Sequence, residues 1–137
     1  MPGPLRLKAL DTEDLVVLAS CLQDSLVMIG DMAFLPEERR FVLVCNRFGW
    51  ETPGPDLARV TSGVTFAGVT AVRRRGIELK ENERILSLLT LRPDDGAIEL
   101  VFSAGAAIRL EVPNIEVYLE DIGDSWPTQW RPSHDKG

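Results

Sequence analysis

Three consecutive arginines are the residues in this chain best suited to binding a charged group. Arg73, Arg74 and Arg75 are its only run of three basic residues, and they end a predicted strand, 69–75. Because side chains alternate between the two faces of a strand, we expect Arg73 and Arg75 to share a face. Guanidinium groups there could hold an anion, a phosphate or an acidic partner segment. The alternative is an edge strand that its charges protect against aggregation.

A second candidate lies at the end of the predicted strand 40–46, where Arg47 and Trp50 flank a phenylalanine and a glycine. A ligand or a partner could stack on this arginine and these aromatic rings. The alternative is that the aromatic side chains only close one end of the hydrophobic core. Together, Arg47, Trp50, Arg73 and Arg75 form the predicted anion or partner surface.

The third candidate is a contact arm formed by Trp126 and Trp130 near the C-terminus. Tryptophan is costly to leave exposed, so these rings are expected to be covered. Either they pack on their own domain, or they contact a second copy or another protein.

The sequence contains no recognisable catalytic or metal-binding constellation. Its one histidine, His134, lies in the last four residues, and Cys21 and Cys45 are far apart, which does not match the spacing of zinc ligands. Phosphate-cradling glycine motifs are absent. Adjacent acids such as Glu120 and Asp121 are expected to be solvated. We therefore predict no catalytic residue, no cofactor and no metal.

Composition and charge restrict the class of protein and its partners. The chain has 137 residues, 45% hydrophobic and 26% charged, which fits one globular domain, 1–137, with irregular ends at 1–4 and about 124–137. Its net charge of −6 is shared equally, −3 in residues 1–68 and −3 in 69–137. This charge disfavours nucleic acid and anionic membranes as partners.

The sequence shows no targeting signal. No apolar run has the length of a signal peptide, and the longest apolar stretch, 15–22, is far shorter than a membrane span of ~20 residues. We therefore expect a cytoplasmic protein whose two cysteines are reduced thiols buried as small hydrophobic residues.

Periodicity predicts the elements that must position these candidates. A short strand at 5–10 precedes a helix at about 12–22, whose N-cap is Asp11. Six or seven strands with a period of two follow. Asn114 is then predicted to cap a second helix whose buried stripe is Ile115, Leu119 and Ile122.

These elements predict an α+β fold. A sheet of so many short antiparallel strands must curl or split into two layers to bury its apolar face. We therefore expect a strongly bent antiparallel sheet, or a small β-sandwich or barrel, with an N-terminal and a C-terminal helix. The last hairpin followed by a helix is similar to the end of a pleckstrin-homology-like domain.

Several stretches resemble those of a small bacterial family of unknown function. They include the segments 5–15, 34–41, 46–51, 98–102 and 108–112, and the resemblance extends from Leu5 to about Pro132. It implies a bacterial cytoplasmic single-domain protein and carries no activity or site residues with it.

The sequence has clustered arginines and aromatic residues but no catalytic motif. This combination favours a non-enzymatic binding or protein-interaction module, whose partner is a protein or a small anionic ligand. An alternative is an enzyme that acts on a small anionic metabolite through carboxylate and arginine groups. It would require a closed apolar pocket with a buried carboxyl of shifted pKa. A structural homodimer is the second alternative.

Overall fold

A computed structural model describes residues 5–48 and 59–125. In chain order its elements are β1 (Arg6–Ala9), α1 (Thr12–Leu22), β2 (Ser25–Leu35), β3 (Arg40–Phe48), β4 (Arg59–Ala67), β5 (Ala71–Arg75), β6 (Ile85–Asp94), β7 (Ala97–Phe102), a 3-10 turn (Ser103–Gly105), β8 (Ala107–Glu111) and β9 (Val117–Ser125).

The strands of the described residues form one open antiparallel sheet in the order β1-β9-β4-β3-β2-β6-β7-β8-β5. Helix α1 contacts β1, β3 and β6. Because β1 and β6 are separated by four strands in this order, the sheet must curve for one eleven-residue helix to reach both. The antiparallel sheet is confirmed. The sandwich, the barrel and the pleckstrin-homology-like arrangement are wrong, since there is a single open sheet with nine strands and one α-helix in the described part of the chain.

Helix α1 forms where its periodicity predicts. Asp11 caps it by accepting a hydrogen bond from the Asp14 amide at 2.8 Å. Its apolar stripe is buried against the sheet and consists of Leu15, Leu18, Ala19 and Leu22. The spacing of these four residues matches one face of an α-helix, so local sequence is sufficient to define this element.

The predicted C-terminal helix is wrong, because its residues form strand β9. Val117 and Leu119 are both buried, two positions apart, which is the spacing of one strand face. β9 pairs with β1 on one side and with β4 on the other. The spacing of Ile115, Leu119 and Ile122 fits a helix, but hydrogen bonding to two distant strands outweighs that local pattern.

Strand β2 continues through Gly30 from Ser25 to Leu35. Its pairing with β3 shifts in register between Val27 and Met32, so the strand is irregular around this glycine. A Cβ atom on Gly30 would lie 2.9 Å from the backbone oxygen of Asn82. Gly30 also donates a 2.7 Å main-chain hydrogen bond to that oxygen. Close backbone approach therefore explains the glycine.

The hydrophobic core lies between α1 and the concave face of the sheet. Its largest fully buried apolar side chains include Phe66 of β4, Phe102 of β7 and three leucines of α1, Leu15, Leu18 and Leu22. Arg47 is also fully buried. The interior therefore contains Arg47, whereas Arg73 and Arg75, the other predicted site residues that the structure describes, are exposed.

Candidate functional site

A buried ion pair joins β3 to β9. The Arg47 guanidinium donates from Nε to Asp121 Oδ1 at 3.1 Å and from Nη2 to Asp121 Oδ2 at 2.9 Å. Both side chains are buried, with 0% of Arg47 and 8% of Asp121 exposed. Two parallel bonds between a planar guanidinium and a carboxylate fix the relative position of the two strands.

Further donors complete the surroundings of Asp121. Ser62 on β4 donates to Oδ1 at 2.7 Å and receives a 3.1 Å bond from Arg47 Nε, while the Leu5 amide donates to Oδ2 at 2.8 Å. The carboxylate thus accepts four hydrogen bonds, which uses its four lone-pair positions. The cluster of Arg47, Ser62 and Asp121 therefore holds the N-terminal segment, β3, β4 and β9 together.

Two opposing effects set the pKa of Asp121. Burial raises it, but the hydrogen bonds from Arg47, Ser62 and the Leu5 amide, together with the positive charge of Arg47, outweigh burial and hold the pKa below its ordinary value. Asp121 is therefore a carboxylate at neutral pH. A general acid at that pH needs a raised pKa, so this buried carboxyl does not supply one.

The partners of Arg47 are not apparent from the sequence. The helical pattern of Ile115, Leu119 and Ile122 predicts that Asp121 lies on the solvated side of a helix. That prediction is wrong, since Asp121 lies on β9 beside Ser62 of β4. No local signal indicates the ion pair, because Arg47 and Asp121 are 74 residues apart.

Arg73, Arg74 and Arg75 lie on β5 and are all exposed. We call these three residues the arginine edge. Arg73 forms an ion pair with Glu111 of β8 through Nε at 3.3 Å. Ion-pair partners are recorded for neither Arg74 nor Arg75 within the described part of the chain. Glu81, one of the acids that follow β5 in the chain, pairs with Arg84.

The sheet around Arg73 has charges of both signs on its solvent-facing side. One row of residues crosses four strands, from Arg73 on β5 through Arg109 on β8 and Glu99 on β7 to Arg92 on β6. Each lies opposite the next. Arg92 bonds to Glu99, and Arg109 bonds to Asp94 at 2.8 Å. The hydrogen bond from Arg109 is the main cause of the lowered pKa of Asp94. Neutralised pairs therefore lie beside Arg73 on this face of the sheet, and the arginine edge retains an excess of positive charge.

The predicted site residues do not form one cluster. Arg47 is buried on β3, whereas Arg73 and Arg75 are exposed on β5, at the far end of the sheet order. Trp50 and the proposed contact arm, Trp126 and Trp130, lie outside the described residues. Whether these tryptophans belong to a binding surface stays a prediction.

An open concavity of about 410 Å³ lies at the loop before β6, and it is lined by residues 80–84 and by none of the predicted site residues. Among the residues that the structure covers, no group of three potential metal ligands occurs. Cys45 is buried as expected, while Cys21 is half-buried. No helix within 5–48 or 59–125 combines the length and hydrophobicity that crossing a membrane requires.

Comparison with protein families shows where the chain belongs. A family model described as "Protein of unknown function (DUF2948)" matches residues 5–134, so the protein is a member of that family. The resemblance to an uncharacterised family is thereby confirmed. Comparisons with curated proteins and with solved structures give no match.

Proposed function

We propose that this protein is a non-enzymatic, cytoplasmic binding module whose partner-contacting surface is the arginine edge. The observation that supports the proposal is three exposed arginines at one edge of a protein of net charge −6, two of them without a recorded ion-pair partner in the described residues. Charge complementarity of this kind favours an acidic partner and speeds its encounter with the surface.

The burial of Arg47 leaves Arg73 and Arg75 as the predicted cationic contacts among the described residues. Arg47 is committed to Asp121 and Ser62, so its guanidinium holds the sheet together. Arg73 has a side chain 72% exposed, and its single ion pair with Glu111 is of the solvent-screened kind that is easily exchanged. A partner carboxylate can therefore compete for it.

Affinity capture from an extract of native cells tests this proposal. The double variant Arg73→Ala, Arg75→Ala is expected to lose most of the captured partner while its melting temperature stays within a few degrees of the unsubstituted protein, because both side chains are exposed. The matched control is Arg6→Ala, Arg40→Ala, which removes the same charge from exposed ion pairs elsewhere.

Equal loss of capture in the two double variants would mean that net charge, not the arginine edge, decides binding. Unchanged capture in the variant of Arg73 and Arg75 would remove these residues from the contact surface. Unfolding of that variant would show that the arginines stabilise the sheet itself.

A second candidate function, a structural homodimer, is favoured by apolar side chains on the convex face of the sheet. Ile122 is 50% exposed, and its Cδ1 lies 3.2 Å from the position of a Cβ on Gly63. Gly63 lies opposite Val44 of β3, which is half-buried. Two strands further on, Ile85 is 54% exposed and lies opposite Met28. We call the surface formed by Ile85, Met28, Val44 and Ile122 the convex patch.

Charges of both signs beside the convex patch are compatible with a second copy of the chain as its occupant. Glu120 lies opposite Gly63 and forms an exposed ion pair with Arg6 at 3.0 Å. A pair of opposite charges can be matched by the same pair on another copy, as a two-fold symmetric interface requires. Light scattering on the purified protein tests this candidate.

A further inference from the structure

Strand β5 is an edge strand of the described sheet, and the described residues leave some of its main-chain groups without partners. Among the described strands it pairs with β8 and with no other. The Glu111 oxygen accepts from the Thr70 amide, and the Ala106 oxygen accepts from the Phe102 amide, so the odd-numbered residues of β8 face β5 and the even-numbered ones face β7. Main-chain groups alternate in direction along a strand.

The register then shows which groups of β5 point away from the sheet. Ala71, Arg73 and Arg75 lie opposite odd-numbered residues of β8 and direct their main-chain groups to it. The amides and carbonyls of Val72 and Arg74 therefore point outward, and no described residue is recorded as bonding to them. These four groups are the donors and acceptors that an added strand requires.

We infer that the partner of the arginine edge is an extended acidic protein segment that adds to β5 as a further antiparallel or parallel strand. This inference rests on the proposed function and specifies its partner. Main-chain bonds to Val72 and Arg74 would supply affinity, and carboxylates beside the arginines would supply specificity.

The distribution of the arginines supports an extended partner over a small anion. Arg73 lies on the Arg109 side of the sheet, and alternation places Arg75 on that side and Arg74 on the other. Three guanidinium groups on opposite faces cannot converge on one phosphate. An added strand presents its side chains alternately to both faces, so its acids can meet arginines on either side.

The same charges exclude a second copy as the added strand. If two β5 edges paired with each other, six arginines would lie side by side, and like charges on neighbouring strands repel. The edge is thus protected against self-association and open to a strand of opposite charge, which is the behaviour expected of a specific acceptor.

Fluorescence anisotropy with a labelled short peptide that alternates glutamate and valine tests the inference on the full chain. We expect saturable binding that weakens with added salt, and roughly tenfold or more weaker binding by the variant Arg73→Glu, Arg75→Glu. A peptide with lysine in place of glutamate is expected not to bind. The matched protein control is Arg6→Glu, Arg40→Glu, which changes net charge equally and should bind far better than the variant of β5.

A second peptide separates strand addition from simple charge attraction. It carries the same glutamates, but the alternate main-chain amides that would face β5 are N-methylated. This peptide lacks the donors that would meet the outward carbonyls of Val72 and Arg74. We therefore expect it to bind about tenfold more weakly or worse. Val72→Pro, which keeps all three arginines and removes one outward amide, should weaken the unmethylated peptide similarly. If Val72→Pro unfolds, the methylated peptide still decides the question.

Equal binding of the two acidic peptides, or tighter binding of a single-stranded oligonucleotide that competes with them, would overturn strand addition. The proposed function fails separately. If cellular capture depends on Arg73 and Arg75 but the acidic peptide does not compete with the captured partner, the arginine edge stands as a binding surface and the acidic strand does not. If capture is independent of these arginines, both fail.

Discussion

At the scale of single residues, Asp121 is a buried carboxylate that joins several segments of the chain. It accepts two bonds from Arg47, one from Ser62 and one from the Leu5 amide, and its side chain is 8% exposed. A buried ion pair costs desolvation energy, but removing one partner costs more, because the other charge then loses the group that compensates it. The contributions of Arg47 and Asp121 to the free energy of unfolding should therefore be strongly coupled.

We expect Asp121→Asn to lower the free energy of unfolding by about 3 kcal/mol at neutral pH, measured by chemical denaturation. The pKa of Asp121 is lower in the folded chain, so its contribution is present above its ordinary pKa near 4 and is lost as the pH falls through the folded value. Stability of the Asp121→Asn variant should consequently fall less on acidification. Asp94→Asn, at an exposed carboxyl whose pKa is also lowered, is the control and should have a much smaller effect at neutral pH. Parallel acid curves for the unsubstituted protein and the Asp121→Asn variant would contradict the lowered pKa.

At the scale of elements, β2 approaches the backbone of the loop before β6 closely at Gly30, within the region of its register shift. Gly30 donates its amide to Asn82, and a side chain on Gly30 would meet the oxygen and the Cβ atom of Asn82 at 2.9 and 3.0 Å. Real Cβ atoms do not come this close to a backbone oxygen, so the loop before β6 would have to move.

Gly30→Ala should therefore destabilise the protein by about 1 to 3 kcal/mol, the range for inserting a methyl group into a packed site. Gly63→Ala is the matched control, because it also lies within a strand and its added Cβ would meet only the flexible end of Ile122 at 3.2 Å. Thermal unfolding of the two variants compares them directly. A smaller effect for Gly30→Ala than for Gly63→Ala would show that the loop yields easily.

Prediction from the sequence succeeds for elements whose pattern is local and fails where pairing is distant. The helix over Thr12–Leu22 has its cap and its buried stripe within its own residues. Strand β7 likewise has its two-residue alternation within its own residues, at Ile98, Leu100 and Phe102. The segment Val117–Ser125 has apolar residues compatible with two periods, and only the hydrogen-bonding requirements of β1 and β4 select the strand.

At the scale of the whole molecule, the curved sheet gives its two faces different roles. The concave face packs on α1, while the convex patch leaves Ile85 and Ile122 exposed. Exposed apolar surface of this kind commonly marks an interaction site. The convex patch and the arginine edge are separate surfaces, so a homodimer and an acidic partner are compatible.

If the convex patch joins two copies, the double variant Ile85→Glu, Ile122→Glu should be a monomer by light scattering at concentrations where the unsubstituted protein is a dimer. Burying two like-charged carboxylates at an interface is strongly unfavourable. The control is the double variant Leu10→Glu, Leu79→Glu, because both leucines are exposed and lie outside the convex patch. This control variant should remain a dimer. A monomeric unsubstituted protein at all concentrations would remove the homodimer as a function.

The sequence by itself determined a net charge of −6, a capped first helix, mostly two-residue periodicity and one conspicuous run of basic residues, because each of these depends on neighbours along the chain or on composition alone. The tertiary structure decided that Arg47 is buried against Asp121, that the last described element is a strand and that Arg73 to Arg75 lie on an edge strand of the described sheet. Those facts depend on which distant strands form hydrogen bonds with each other, and side-chain type alone does not specify such long-range pairing.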